Sequence, residues 1–129
     1  MIIKNIGNIE SVKCPNGGFE SFRFLLENDK MGFTITKTVI SPMKGEQFWH
    51  YKNHLEACLC ISGYGRLVNI ETDESYTIEP GTMYALDKND AHTFEAYEEV
   101  VLICVFNPPL TGKEAHKNDG SYEVNNERI

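Results

Sequence analysis

The stretch HYKNHLEACLCISGYG, residues 50–65, decides how this chain is read. From Leu55 it is apolar, and it ends in Ser-Gly-Tyr-Gly, which predicts a strand over residues 55–62 followed by a turn. Residues two apart in a strand share a face, so Glu56, Cys58 and Cys60 point one way and Ala57, Leu59 and Ile61 the other. With the first set inward, Glu56 carries a carboxylate into the interior, which is expensive unless it is paired or bound to a cation. The alternative leaves Glu56 at the mouth of the fold, solvated or paired with Lys52.

Working outward, the same short-strand pattern recurs, with almost no segment of helical period. Strands are expected within residues 19–29, over 31–40, and over 65–72, 75–80, 82–87, 92–97 and 100–107, with a turn or loop at 41–45. This even spacing predicts an all-β fold, a double-sheet jelly roll or small barrel. From Pro108 the chain turns polar and contains Gly112 and Gly120, so residues 108–129 are expected to be a flexible tail or lid rather than a second domain. At 129 residues the chain has the length of one domain, and no internal repeat or low-complexity segment interrupts it.

Twelve basic against nineteen acidic side chains give a formal charge of −7, which disfavours nucleic acid and anionic membrane as partners. The apolar run VVLICVF, residues 100–106, falls far short of the roughly 20 residues of a membrane span. The opening MIIKNIGNIE is too polar for a signal peptide, so a cytoplasmic location is expected. Cys58 and Cys60 do not have CxxC spacing, and the four cysteines, at 14, 58, 60 and 104, are expected as free thiols, mostly buried.

A second segment, IEPGTMYALDKNDAH at residues 78–92, holds a Pro-Gly turn, a strand and a polar turn ending in His92. Glu56 with Gly63, followed by Pro80-Gly81 and His92, resembles the two motifs of the cupin superfamily, whose jelly-roll strands carry metal ligands inward. The paired histidines usual ahead of the glutamate are replaced by Trp49 with Tyr51, or His50 with Lys52, and the proline and glycine usual before the second histidine are Asp87 and Asn89. One Glu and one His do not make a stable site. A closer resemblance supplies the rest. HYKNHLEA (50–57), PGTMYALDKNDAH (80–92), CVFNPPLTGKEAH (104–116) and NGGFESFRFLLENDKMGF (16–33) together resemble the ectoine synthase family, a group of cupin-fold cyclases.

That resemblance implies a metal held by Glu56, Tyr84 and His92, with ferrous iron as the ion and zinc as the alternative. One imidazole nitrogen and two oxygens leave coordination positions open for a substrate. The family's substrate is N-γ-acetyl-2,4-diaminobutyrate, closed into a six-membered ring with loss of water. Carried over residue by residue, Arg23 pairs with the substrate carboxylate, Thr38 supplies a hydroxyl, Thr36 stands at a polar contact, and Phe19 and Cys104 line the pocket. Glu114 or His116 is the expected acid and base, and Tyr84 is counted with them. A head-to-tail homodimer is also implied. Each residue has a plainer reading: Tyr84 a core tyrosine, His92 a capped turn residue, Arg23 a surface ion pair, Thr38 an ordinary strand residue and Cys104 a small buried hydrophobe.

The chain departs from the family where a tryptophan is common, having Phe19, and where FHETT is common, having ITKTV at 35–39. Those changes fall on the pocket floor. Besides ectoine synthase proper, the residues therefore admit a divergent relative acting on another amide-bearing amino acid, or a non-catalytic cupin that binds a small solute.

Overall fold

The structure, a computed structural model, describes residues 1–13, 18–42 and 45–112. Its ten strands are β1 (Ser11–Lys13), β2 (Phe19–Leu25), β3 (Thr34–Ile40), β4 (Glu46–Trp49), β5 (Leu55–Ser62), β6 (Gly65–Asn69), β7 (Ser75–Ile78), β8 (Met83–Ala85), β9 (His92–Ala96) and β10 (Val100–Asn107). Two short 3-10 turns, Ile6–Asn8 and Glu27–Asp29, fall outside the strands. The strands form two antiparallel sheets, a six-stranded one in the order β1-β2-β3-β10-β5-β8 and a four-stranded one in the order β4-β9-β6-β7. This is the all-β, double-sheet arrangement that the strand pattern predicts.

The strands at 55–62 and 100–107 fall where the sequence places them, and several others are shorter. Residues 31–33 do not join β3 because Lys30 and Gly32 have φ of 58° and 86°, values incompatible with extended backbone. Similarly β6 stops at Asn69, whose side-chain oxygen accepts from the Glu71 amide at 3.1 Å and turns the chain. Two strands, β1 and β4, lie where the strand pattern gives no sign of them. The second pairs with β9, Trp49 opposite His92, a partnership set by residues far away in sequence.

The core between the sheets holds Ile40, Val100, Leu102 and Phe106 from the larger sheet and Trp49, Leu67, Ile78 and Phe94 from the smaller. Gly63, at φ 93°, makes the β5–β6 turn possible, since a Cβ there would collide with the Glu99 carbonyl oxygen. After β10 the chain folds back onto the barrel: Leu110 is fully buried, its amide donates to Thr34 Oγ1 at 2.7 Å, and its carbonyl accepts from the Glu27 amide at 2.8 Å. No helix among the described residues is long and apolar enough to cross a membrane.

Candidate metal and active site

Strand register lays out the site. Arg23 pairs with Thr36, Thr36 with Cys104, Cys104 with Cys58 and Cys58 with Tyr84, so one row crosses five strands of the larger sheet. All five belong to the inward alternation of their strands. The next row toward the chain's return holds Thr34, Phe106 and Glu56. Glu56 therefore faces the interior, as one of the two sequence readings holds, and is 8% exposed.

Burial raises the Glu56 carboxyl pKa from its ordinary 4.5 to about 7, although thiol hydrogen bonds from Cys58 and Cys104 pull the other way. One ligand atom each from Glu56, Cys58 and Cys104 lies within 4.8 Å of the others, and all three residues are buried. Tyr84 joins them by a hydrogen bond to Cys58, and burial followed by the acidic neighbours pushes its phenol well above its usual range.

His92 approaches from the opposite sheet, its ring centroid 6.4 Å from that of Tyr84. Its Nδ1 lies 2.9 Å from the Asp90 carbonyl oxygen. A carbonyl only accepts, so Nδ1 carries the proton and Nε2 presents a lone pair. That Nε2 is buried and has no hydrogen-bond partner among the described residues. Burial also lowers the His92 pKa and keeps the ring neutral. A neutral imidazole with one nitrogen fixed by a carbonyl and the other unspent is the form in which histidine binds a metal. Glu56 has no ion-pair partner among the described residues, and its oxygens, the Tyr84 phenol and the His92 nitrogen are donor types that suit a divalent ion; His92 stands outside the close group of Glu56, Cys58 and Cys104.

A chamber of about 20 Å³, room for one water or ion, is walled by Phe19, Thr38, Tyr51, Glu56, Tyr84 and Cys104, with apolar core residues completing the wall. It thus brings together five of the residues singled out in the sequence. Thr36 lies beside it, hydrogen-bonded to Thr38 at 3.2 Å. Thr38 and Cys104 are both part of this wall, and Cys104 is buried. Arg23 is buried rather than on the surface, but it does not line the chamber; it lines a separate cavity with Leu26 and Gly112. His92 and Tyr84 both line a wider groove of about 340 Å³ between β7 and β8. Glu114 and His116 lie outside the described residues.

Two contributors escaped sequence reasoning. Cys58 shows only its face in the sequence, and its closeness to Cys104 depends on β5–β10 register. Asn89, where a glycine is usual, adopts φ 51° and donates to the carbonyl oxygens of Tyr51 and His54 at 3.0 and 3.1 Å. Asparagine tolerates the left-handed region, so it replaces glycine in the turn and clamps the loop ahead of Glu56 as well.

The family model for ectoine synthase matches residues 1–126. The chain belongs to the ectoine synthase family. An L-ectoine synthase of Marinomonas sp. is 50% identical over 114 residues, covering 88% of this chain and 87% of that protein. One from Teredinibacter turnerae is 44% identical and covers all of both chains. The crystal structure of ectoine synthase from P. lautus superposes with a TM-score of 0.83 at 36% identity, over 98% of this chain and 94% of that one. Membership in the ectoine synthase family fixes the fold as a cupin and sets the chemistry against which the chamber is to be judged.

Proposed function

We propose that this chain is an ectoine synthase, closing N-γ-acetyl-L-2,4-diaminobutyrate to ectoine with loss of water. The observation that carries the reading is His92 Nε2, a buried lone pair with no partner among the described residues, beside Tyr84, which shares a chamber with the carboxylate of Glu56. Glu56, Tyr84 and His92 would hold a divalent ion, ferrous iron by resemblance and zinc as the alternative. Such an ion would supply Lewis acidity toward the acetamide oxygen of the substrate.

The chain's own residues do the rest. The Arg23 guanidinium, in the same cross-strand row as Cys104, takes the substrate carboxylate with its planar fork. Thr36 and Thr38 offer hydroxyls, and Phe19 and Cys104 close the apolar wall and exclude water. Holding amine and carbonyl together in a folded substrate contributes up to ~7 to 11 kcal/mol in favourable intramolecular cases. Glu114 or His116 removes the α-amine proton so that nitrogen attacks the carbonyl carbon; two protons in all pass from that nitrogen to the carbonyl oxygen, which leaves as water when the carbon–nitrogen double bond forms. Replacing each in turn is expected to stop turnover while metal content stays intact.

The outward face of the larger sheet supports a homodimer, head-to-tail by family resemblance. Val105, Ala57 and Ala85 form one cross-strand row there, and Ile103, Leu59 and Met83 the next, with Leu59 and Met83 exposed. An aliphatic sheet face of this kind is stabilised by burial against a second copy.

The test is anaerobic incubation of Fe(II)-loaded protein with N-γ-acetyl-2,4-diaminobutyrate, followed by proton NMR. Ectoine signals growing with enzyme concentration support the reading. Metal binding without ectoine would move the assignment to another amide-bearing amino acid, the outcome favoured by Phe19 and the 35–39 segment.

A further inference from the structure

At the end of the barrel that holds Glu56, two neighbouring connections join the sheets. Residues 50–54 lead from β4 of the smaller sheet to β5 of the larger, and residues 86–91 lead from β8 of the larger to β9 of the smaller. Glu56 follows the first connection, while Tyr84 precedes and His92 follows the second. Register fixes Glu56 against Tyr84 through the β5–β8 pairing, but no strand pairing among the described residues relates either to His92 on the other sheet. Their separation from His92 therefore depends on how the two connections are held together. Asn89 holds them, its Nδ2 donating to the carbonyl oxygens of Tyr51 and His54 at 3.0 and 3.1 Å. One amide nitrogen carries two protons, one for each carbonyl. The second connection is also anchored at both of its ends: the Leu86 amide donates to the Glu56 carbonyl oxygen at 2.8 Å, and the Ile70 amide to the Ala91 carbonyl oxygen at 3.0 Å.

We propose that Asn89 is a positioning residue, whose two hydrogen bonds set the gap across which Glu56 and Tyr84 of the larger sheet face His92 of the smaller. The inference rests on the reading of those three residues as metal ligands and adds what holds them in register across the barrel. Asn89 lines neither the chamber nor the wider groove, so it acts through the backbone of Tyr51 and His54 rather than by touching ion or substrate. Tyr51 is buried and forms part of the chamber wall, so the same clamp fixes that wall as well. Groups one step removed from a metal's ligands orient them, and a site left loose by its supporting contacts binds poorly. The amide is what the position requires. An aspartate of the same shape has no proton to give to either carbonyl, and glycine adopts the φ of 51° without any side chain to donate.

Cobalt(II) is the probe, titrated anaerobically into metal-stripped full-length protein and followed by its ligand-field bands. Asn89→Gly keeps the left-handed backbone and loses the two hydrogen bonds. It is expected to bind cobalt about 10- to 100-fold more weakly than the unmodified chain, with shifted bands at saturation. Lys30→Gly alters another left-handed position, in the exposed turn before β3, and should change neither affinity nor bands. Asn89→Asp should weaken binding at least as much as Asn89→Gly, and it decides the matter if the glycine variant does not fold. Unchanged affinity and bands in Asn89→Gly, with only a lower denaturation midpoint, would overturn the proposal and leave the Glu56, Tyr84 and His92 site standing. Failure of the unmodified chain to bind cobalt would overturn the metal reading and this inference with it.

Discussion

The inward face of the larger sheet is mixed where that of an ordinary β-sandwich is apolar, with a polar patch set among Phe19, Ile40, Val100, Leu102 and Phe106. Inward lie Ser21, Arg23, Thr34, Thr36, Glu56, Cys58 and Cys104, nearly all polar or ionisable and all buried. Outward on the central strands lie Leu55, Ala57, Leu59, Ile61, Ile103 and Val105, aliphatic throughout. Stability alone would put the second set inside. The contrast teaches that a patch of the inner face is held for chemistry, with Ile40, Val100, Leu102 and Phe106 around it and the smaller sheet's Trp49, Leu67 and Phe94 opposite supplying the apolar packing, and that the outer face is suited to a partner.

Substitutions that exchange the roles of the faces test this contrast. The largest effect is expected at Glu56. Glu56→Ala should lower ectoine formation by at least about 100-fold, more than the loss of a residue that merely supports a metal ligand, when NMR initial rates are compared.

A pH series sharpens the point. In metal-free protein Glu56 titrates at about 7 when folded and near 4.5 when unfolded, so the folded form holds its proton more tightly. The Glu56 contribution to stability is then fullest below 4.5, falls as pH rises through the window from 4.5 to about 7, and is level above it. The loss is about 3 kcal/mol, read as denaturant midpoints, and Glu56→Gln should remove this slope.

Thr34→Val comes next, because it leaves the buried Leu110 amide without its 2.7 Å acceptor. It should cost about 1 to 3 kcal/mol in the same unfolding assay. The smallest effect on the folded protomer belongs to the outer face. Leu59→Lys should change protomer stability by less than about 0.5 kcal/mol while halving the mass seen in light scattering. A mass equal to one chain before substitution would break the partner half of the comparison.

Much of this was legible in the sequence. The alternation of LEACLCIS placed Glu56, Cys58 and Cys60 on one face, and the 55–62 and 100–107 strands are as read. Tyr84 and His92 could be named by resemblance alone, and the structure shows a fixed tautomer on His92 and a phenol hydrogen-bonded to Cys58. Strand β4 was illegible because EQFW has only four residues and is defined by its pairing with β9. The Cys58–Cys104 pairing was illegible for the same reason, since register between distant strands leaves no local signature.

The central claim is that Glu56 and Tyr84 on the inward face of the larger sheet carry a metal together with His92 of the smaller sheet. It is tested most directly by dialysing Fe(II)-loaded protein anaerobically and measuring bound iron in the unmodified chain, Glu56→Ala and His92→Ala. The account predicts about one iron per chain in the unmodified protein and near-complete loss in both variants, with folding intact by circular dichroism. Full iron retention in both variants would place the metal elsewhere and contradict it.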